Sequence, residues 1–222
     1  MKKLSILFVL LTLSGAAALA QSKIEISVVA GPSFTSFVGA DAEDWGTVGE
    51  KPNMAFRFHG GAILNYAIND KLDAISGLQY SVKGAVYKGT EMGQQGNFTA
   101  KYSKVLSYID IPLSLQYSFS EKFALQGGTQ VSILASAKVR NSEEVQDQFN
   151  LPATEDVKKD YKGIDLCLNI GPIYSISDKL SVQLLYQHGL LKIGQYTDHG
   201  ANVSYNVMNQ GFKLSLVYVV KE

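Results

Sequence analysis

Ser177-Asp178-Lys179-Leu180-Ser181-Val182-Gln183-Leu184-Leu185-Tyr186 is a polar turn that runs into a strand of period two. The chain writes the same phrase twice more. Asn69-Asp70-Lys71-Leu72 leads into Asp73-Ala74-Ile75-Ser76-Gly77-Leu78-Gln79-Tyr80, and Ser120-Glu121-Lys122-Phe123 leads into Ala124-Leu125-Gln126-Gly127-Gly128. An apolar-rich strand end precedes each turn: Ala67-Ile68, Tyr117-Ser118-Phe119 and Tyr174-Ser175-Ile176. A short polar turn between two alternating runs is a tight hairpin.

Outward from these hairpins lie longer polar stretches at 38–53, 88–100, 139–161 and 193–205. Short and long connections therefore alternate. Eight strands are expected at about 23–37, 54–67, 72–87, 101–118, 123–138, 162–176, 180–192 and 206–220. An even count places both strand ends of the ring on the short-turn side.

One face of each strand is apolar. Leu180, Val182, Leu184 and Tyr186 oppose Ser181, Gln183, Leu185 and Gln187. Ile109, Ile111, Leu113 and Leu115 oppose Asp110, Pro112, Ser114 and Gln116. Alternation alone fits two barrels: a soluble one with an apolar interior, and a membrane one turned inside out. Three features favour the second. The strands exceed the ~9–11 residues that cross hydrocarbon. Small residues such as Gly61, Gly77, Gly128, Ser81, Ser114 and Ser132 fill the polar face, where a solvated face would carry more Lys and Glu. Aromatics recur near the turns, at Tyr66, Phe119, Phe123, Tyr174 and Tyr218, as in an interfacial girdle. The expected fold is all-β: an eight-stranded antiparallel up-and-down transmembrane β-barrel.

The ends and totals agree with export. Lys2 and Lys3 precede an apolar run, Leu4 to Leu13, and Ala18-Leu19-Ala20 has the form of a cleavage site. Residues 1–20 thus read as a signal peptide cleaved after Ala20, leaving a barrel domain at 21–222. Beyond Gln21 no apolar run reaches the ~18 residues of a membrane helix. The formal charge is zero, which argues against bulk capture of nucleic acid. Cys167 is the single cysteine, so no intramolecular disulfide forms, and it is expected as a small buried apolar residue.

Tyr108-Ile109-Asp110-Ile111-Pro112-Leu113-Ser114-Leu115-Gln116-Tyr117 resembles the "Y-[IL]-[ED]-[IV]-P-L" strand of the PorT-like outer-membrane β-barrel proteins of Bacteroidetes-type bacteria. Asp165, Leu168, Gly171 and Tyr174, with Tyr186-Gln187-His188-Gly189-Leu190, are similar to two later strands of that family. The resemblance covers most of the chain beyond residue 20 and is sharpest over 101–192. It implies an outer-membrane barrel. It implies no single activity, because such barrels serve many roles.

The polar face carries Glu25, Arg57, Asp73, Lys83, Asp110, Asp165 and Lys213. Ions in a narrow lumen are costly unless paired, so a structural ladder of salt bridges is expected there. Asp110 and Asp165 lie on non-adjacent strands and are expected to have different partners. Trp45, in acidic Asp41-Ala42-Glu43-Asp44-Trp45, is a candidate loop contact for a partner, with an anchor folded back on the barrel or a residue at the membrane interface as the alternatives. The histidines are His59 on the polar face, His188 on the apolar face and His199 in the last loop. No nucleophile elbow and no paired metal spacing accompanies them. No catalytic residue, cofactor or metal is assigned, and the chain is expected not to be an enzyme.

The expected role is structural or interactive, through four extracellular loops. The alternative is a component of a secretion or transport assembly or a small pore, with a lipid-active enzyme further behind. Expected partners are outer-membrane lipid around a monomeric barrel and an envelope or extracellular protein or polysaccharide at the loops, with no nucleic acid.

Overall fold

A computed structural model describes residues 24–43, 45, 51–93, 96–198 and 201–221. The signal-peptide reading and His199 fall outside the described residues. Eight strands form the ring: β1 (Ile24–Val38), β2 (Asn53–Asn69), β3 (Leu72–Gly93), β4 (Gly96–Ser118), β5 (Phe123–Asn141), β7 (Ile164–Ser177), β8 (Leu180–Gly189) and β11 (Met208–Lys221). Each pairs antiparallel with its chain neighbour in the ring, and β11 returns to β1 to close it. Closure leaves no free ring edge, which is the condition for strands in lipid.

The repeated turn phrase has a physical basis. The first polar residue of the phrase caps the turn: Asn69 Oδ1 accepts from the Lys71 and Leu72 amides at 3.0 Å each. Ser120 Oγ accepts from the Phe123 amide at 3.2 Å. Such side-chain turns fix the hairpin register. The lysine carbonyl then ties each turn to the next strand. Lys71, Lys122 and Lys179 accept from the Ser118, Ser175 and Val219 amides at 2.8, 2.9 and 2.9 Å.

Exposure decides which face looks outward. On β11, Leu214 and Leu216 are 41% and 56% exposed, whereas Lys213 and Ser215 are 5% and 2% exposed. The same split holds on β4 between Leu113 or Leu115 and Asp110 or Ser114. A continuous apolar exterior around a polar interior is stable in hydrocarbon, not in water. Ring strands of 10 residues (β8) to 23 residues (β4) meet the spanning length.

The structure corrects the long connections. The stretch at 88–100 is no loop: β3 and β4 continue as a ladder from Lys88↔Lys101 to Gly93↔Gly96. Tyr87 and Tyr102 stack at its base, 5.3 Å apart. The stretch at 139–161 holds α1 (Glu143–Phe149), β6 (Thr154–Asp156) on the outer end of β5, and a 3₁₀ turn (Lys158–Asp160). The stretch at 193–205 is largely a second hairpin, β9 (Gly194–Asp198) with β10 (Ala201–Tyr205). The seventh expected strand, drawn to residue 192, ends at Gly189. Polar side chains marked these segments as lying outside the membrane, and polarity does not distinguish a solvated ladder from a loop.

Candidate functional site

Three layers fill the barrel. At the outer mouth, segments from three connections fold inward. Ala42, Val157, Tyr161, Ile193 and Val207 pack with Phe37, Tyr87, Tyr102, Leu106 and Tyr108 as one buried apolar core. Trp45 pins this cap. Its Nε1 donates to the Tyr161 hydroxyl at 2.9 Å, and its ring lies 5.6 Å from Tyr161 and 5.0 Å from Tyr205. Lys104 Nζ donates to the Trp45 carbonyl and sits 4.7 Å from its ring centroid. Burial holds the Tyr161 phenol well above the usual tyrosine range. Trp45 is thus folded back on the barrel mouth. A cavity of about 250 Å³ remains beside it, lined by Trp45, Lys104, Asp160, Tyr161, Gln195 and Tyr205 among others.

Below the cap lies a buried ion cluster. Lys213 Nζ meets Asp110 at 3.1 Å and donates to Gln130 Oε1 at 3.1 Å. Lys83 Nζ lies 3.8 Å from Asp110 and 3.6 Å from Asp165, and donates to Ser132 Oγ at 3.0 Å. Asn209 Nδ2 and Cys167 Sγ donate to Asp165 at 2.9 and 3.2 Å. Two lysines therefore neutralise two carboxylates within one hydrogen-bonded set. Asp110 and Asp165 share Lys83, contrary to the expectation of separate partners. Their strands are not neighbours, but an eight-stranded lumen is narrow enough for Lys83 on β3 to reach β7 across it.

The rest of the expected ladder divides. Glu25 accepts from Ser27 and Asn65 at 3.1 and 2.6 Å. With Asp73 it lines a third layer, a vestibule of about 580 Å³ at the short-turn end. Only a gap of about 10 Å³, between Gln126, Gln130, Gln183 and Lys213 among others, separates the vestibule from the ion cluster. Arg57 leaves the lumen set. Its guanidinium donates to Ser103 Oγ at 2.7 Å and to the Lys104 carbonyl at 3.4 Å. Ser103 opposes inward-facing Tyr102 on β4 and so faces out. The diversion occurs where β2 and β3 slip register between Met54 and His59 and where Gly84 takes φ +120°. A Cβ at Gly84 would run into the Lys104 carbonyl.

One contact escaped the sequence. His59 Nε2 and Ser215 Oγ lie 2.8 Å apart, both buried. Gly31 of β1 opposes His59 between their strands, and a Cβ there would run into the Leu214 carbonyl of β11. Among the described residues no partner orients the other ring nitrogen, Nδ1. The pair lacks the third member of a catalytic triad. His188 stays on the outer face and pairs with the Tyr186 hydroxyl at 3.1 Å. Among the described residues no group of three ligating side chains could hold a metal ion.

A closed ring, an apolar exterior and a polar filled interior define a small transmembrane β-barrel. Residues 19–195 match the family described as outer membrane protein beta-barrel domain, and the chain belongs to that family. It is an outer-membrane barrel protein. The match is to that broad family and does not single out the PorT-like group. Among solved structures, the chain is similar to Ail, the attachment invasion locus protein of Yersinia pestis, in a complex with the heparin analogue sucrose octasulfate. The two are 12% identical over 88% of this chain and 98% of the other, with a TM-score of 0.48. Neisserial surface protein A is 12% identical over 88% and 96%, with a TM-score of 0.47. Outer membrane protein W of E. coli is 15% identical over 90% and 99%, with a TM-score of 0.42. No curated protein matches the chain.

Proposed function

We propose that this protein is a closed barrel that acts at the cell surface through its outer connections, as an interaction protein and not as a conduit or an enzyme. One observation carries the reading: the outer mouth holds a buried apolar core built by its own connections, pinned by Trp45 on Tyr161 and Tyr205. A rigid frame presenting loops is suited to binding. The partner class is an envelope or extracellular protein or polysaccharide. The test replaces 143–156 and, separately, 195–204 by short Gly-Ser linkers. Loss of captured surface partners with an intact permeability barrier supports the reading. Unitary conductance of the unaltered protein in planar bilayers, or wild-type capture by both variants, refutes it.

A second reading has its own observation. The vestibule of about 580 Å³ opens at the short-turn end, and its size suits docking of a component of a secretion or transport assembly from the periplasm. Secretion lost on filling the vestibule, by Ala67→Trp for example, with outer connections intact, supports this reading over the first. Export with cleavage after Ala20 belongs to both readings, and the mass of the membrane-inserted protein tests it.

A further inference from the structure

The outer surface of β3, β4 and β5 carries a basic cluster at the upper border of the apolar belt. Lys88 and Lys101 stand directly opposite each other, both exposed. Like charges in that position destabilise a sheet. Two residues along β4, Ser103 faces Arg140 of β5, and one step below, Val105 faces Lys138. Inward Tyr87, Tyr102 and Ala137 alternate with these positions, so the cations share the outer face. Arg57 adds a fifth by its hydrogen bond to Ser103, where it feels the charge of Arg140. Ser103 is thus surrounded by five cations on four strands.

Two acids approach the cluster. Glu144 of α1 lies close enough to Lys101 to feel its charge, and Asp156 of β6 stands across from Lys138. Neither forms an ion pair within 4 Å of the cluster, whereas such pairs do form in the lumen. Directly below begins lipid-facing surface. Tyr80, 49% exposed, donates its hydroxyl upward to Ser107 at 2.8 Å, and Leu113 and Ile133 continue the belt at 52% and 47% exposed.

We infer that this cluster binds the phosphate of an outer-leaflet amphiphile, a phosphorylated glycolipid whose acyl chains lie against the belt below. A phosphate there offsets the repulsion that the cluster otherwise carries. Arg57 and Arg140 supply planar donor forks, and the lysines supply charge. The position at the hydrocarbon border selects a lipid over a free anion, because one molecule then satisfies both surfaces.

The full-length protein in detergent micelles is titrated with a phosphorylated glucosamine lipid and with zwitterionic phosphatidylcholine, and bound lipid is counted by native mass spectrometry. The wild type is expected to prefer the phosphorylated lipid at least tenfold and to lose that preference in 0.5 M salt. Lys101→Gln with Arg140→Gln is expected to weaken binding by about thirtyfold, from about fivefold per basic residue at a charged membrane surface. Lys162→Gln with Lys192→Gln, in the connections before β7 and after β8, should leave it unchanged. Both variants are checked for heat-modifiable migration, and salt sensitivity of the wild type tests the site without any substitution. Equal binding by the two double variants overturns the inference. So does full displacement by millimolar inorganic phosphate, which would make the ligand a free anion.

Discussion

Lys83→Met keeps the length of a fully buried side chain and removes its charge. The substitution deletes ion contacts at 3.8 Å to Asp110 and 3.6 Å to Asp165, and a hydrogen bond to Ser132. Asp110 keeps Lys213 at 3.1 Å. Asp165 keeps only the neutral donors Asn209 and Cys167, so most of the cost falls there. Removing one partner of a buried pair costs about 3–5 kcal/mol, mainly from the stranded charge. Urea unfolding of the barrel in lipid vesicles, followed by circular dichroism, reads that loss directly. A second substitution tells charge from packing. Lys83→Met with Asp165→Asn leaves no stranded carboxylate, and it is expected to recover about 2–3 kcal/mol of the loss. A single variant costing under about 1 kcal/mol, or a double variant no more stable than the single, would refute the ion cluster as the lumen's organising element.

Gly84→Ala places a Cβ against the Lys104 carbonyl at a backbone angle that L-residues avoid, and is expected to cost at least about 1–3 kcal/mol in the same assay. Trp45→Ala is expected to free the cap without melting the barrel: proteolysis within 139–161 should speed up while dichroism holds, and equal rates would place the anchor elsewhere. The Tyr161 phenol is held above its unfolded value, so its contribution is fully present below about pH 10 and is lost as pH rises through the folded value. Fluorescence of Trp45, the only tryptophan, should therefore report cap loosening above pH 10, and Tyr161→Phe should flatten that dependence.

What the sequence reveals depends on whether the relevant neighbour is set by period or by closure. The outward face of β8 and β11 follows from alternation, because each side chain's direction is fixed by its own strand. The turns follow from Asn69 and Ser120, whose partners are two or three residues away. The cap does not follow, since Trp45 finds Tyr161 at a separation of 116 residues and only after the ring has closed. The shared Lys83 fails for the same reason, because adjacency in a meander ignores contacts across a narrow lumen. Arg57 fails differently. Its alternation is lumenal on β2, but beside the register slip and Gly84 at φ +120° its guanidinium reaches Ser103 on the outer face. We attribute this diversion of Arg57 to Gly84, one glycine on the neighbouring strand. Gly84→Ala therefore tests more than stability: in a barrel that still folds, it should return Arg57 to the lumen side and subtract one cation from the basic cluster, lowering its affinity for the phosphorylated lipid along with the stability of the ring.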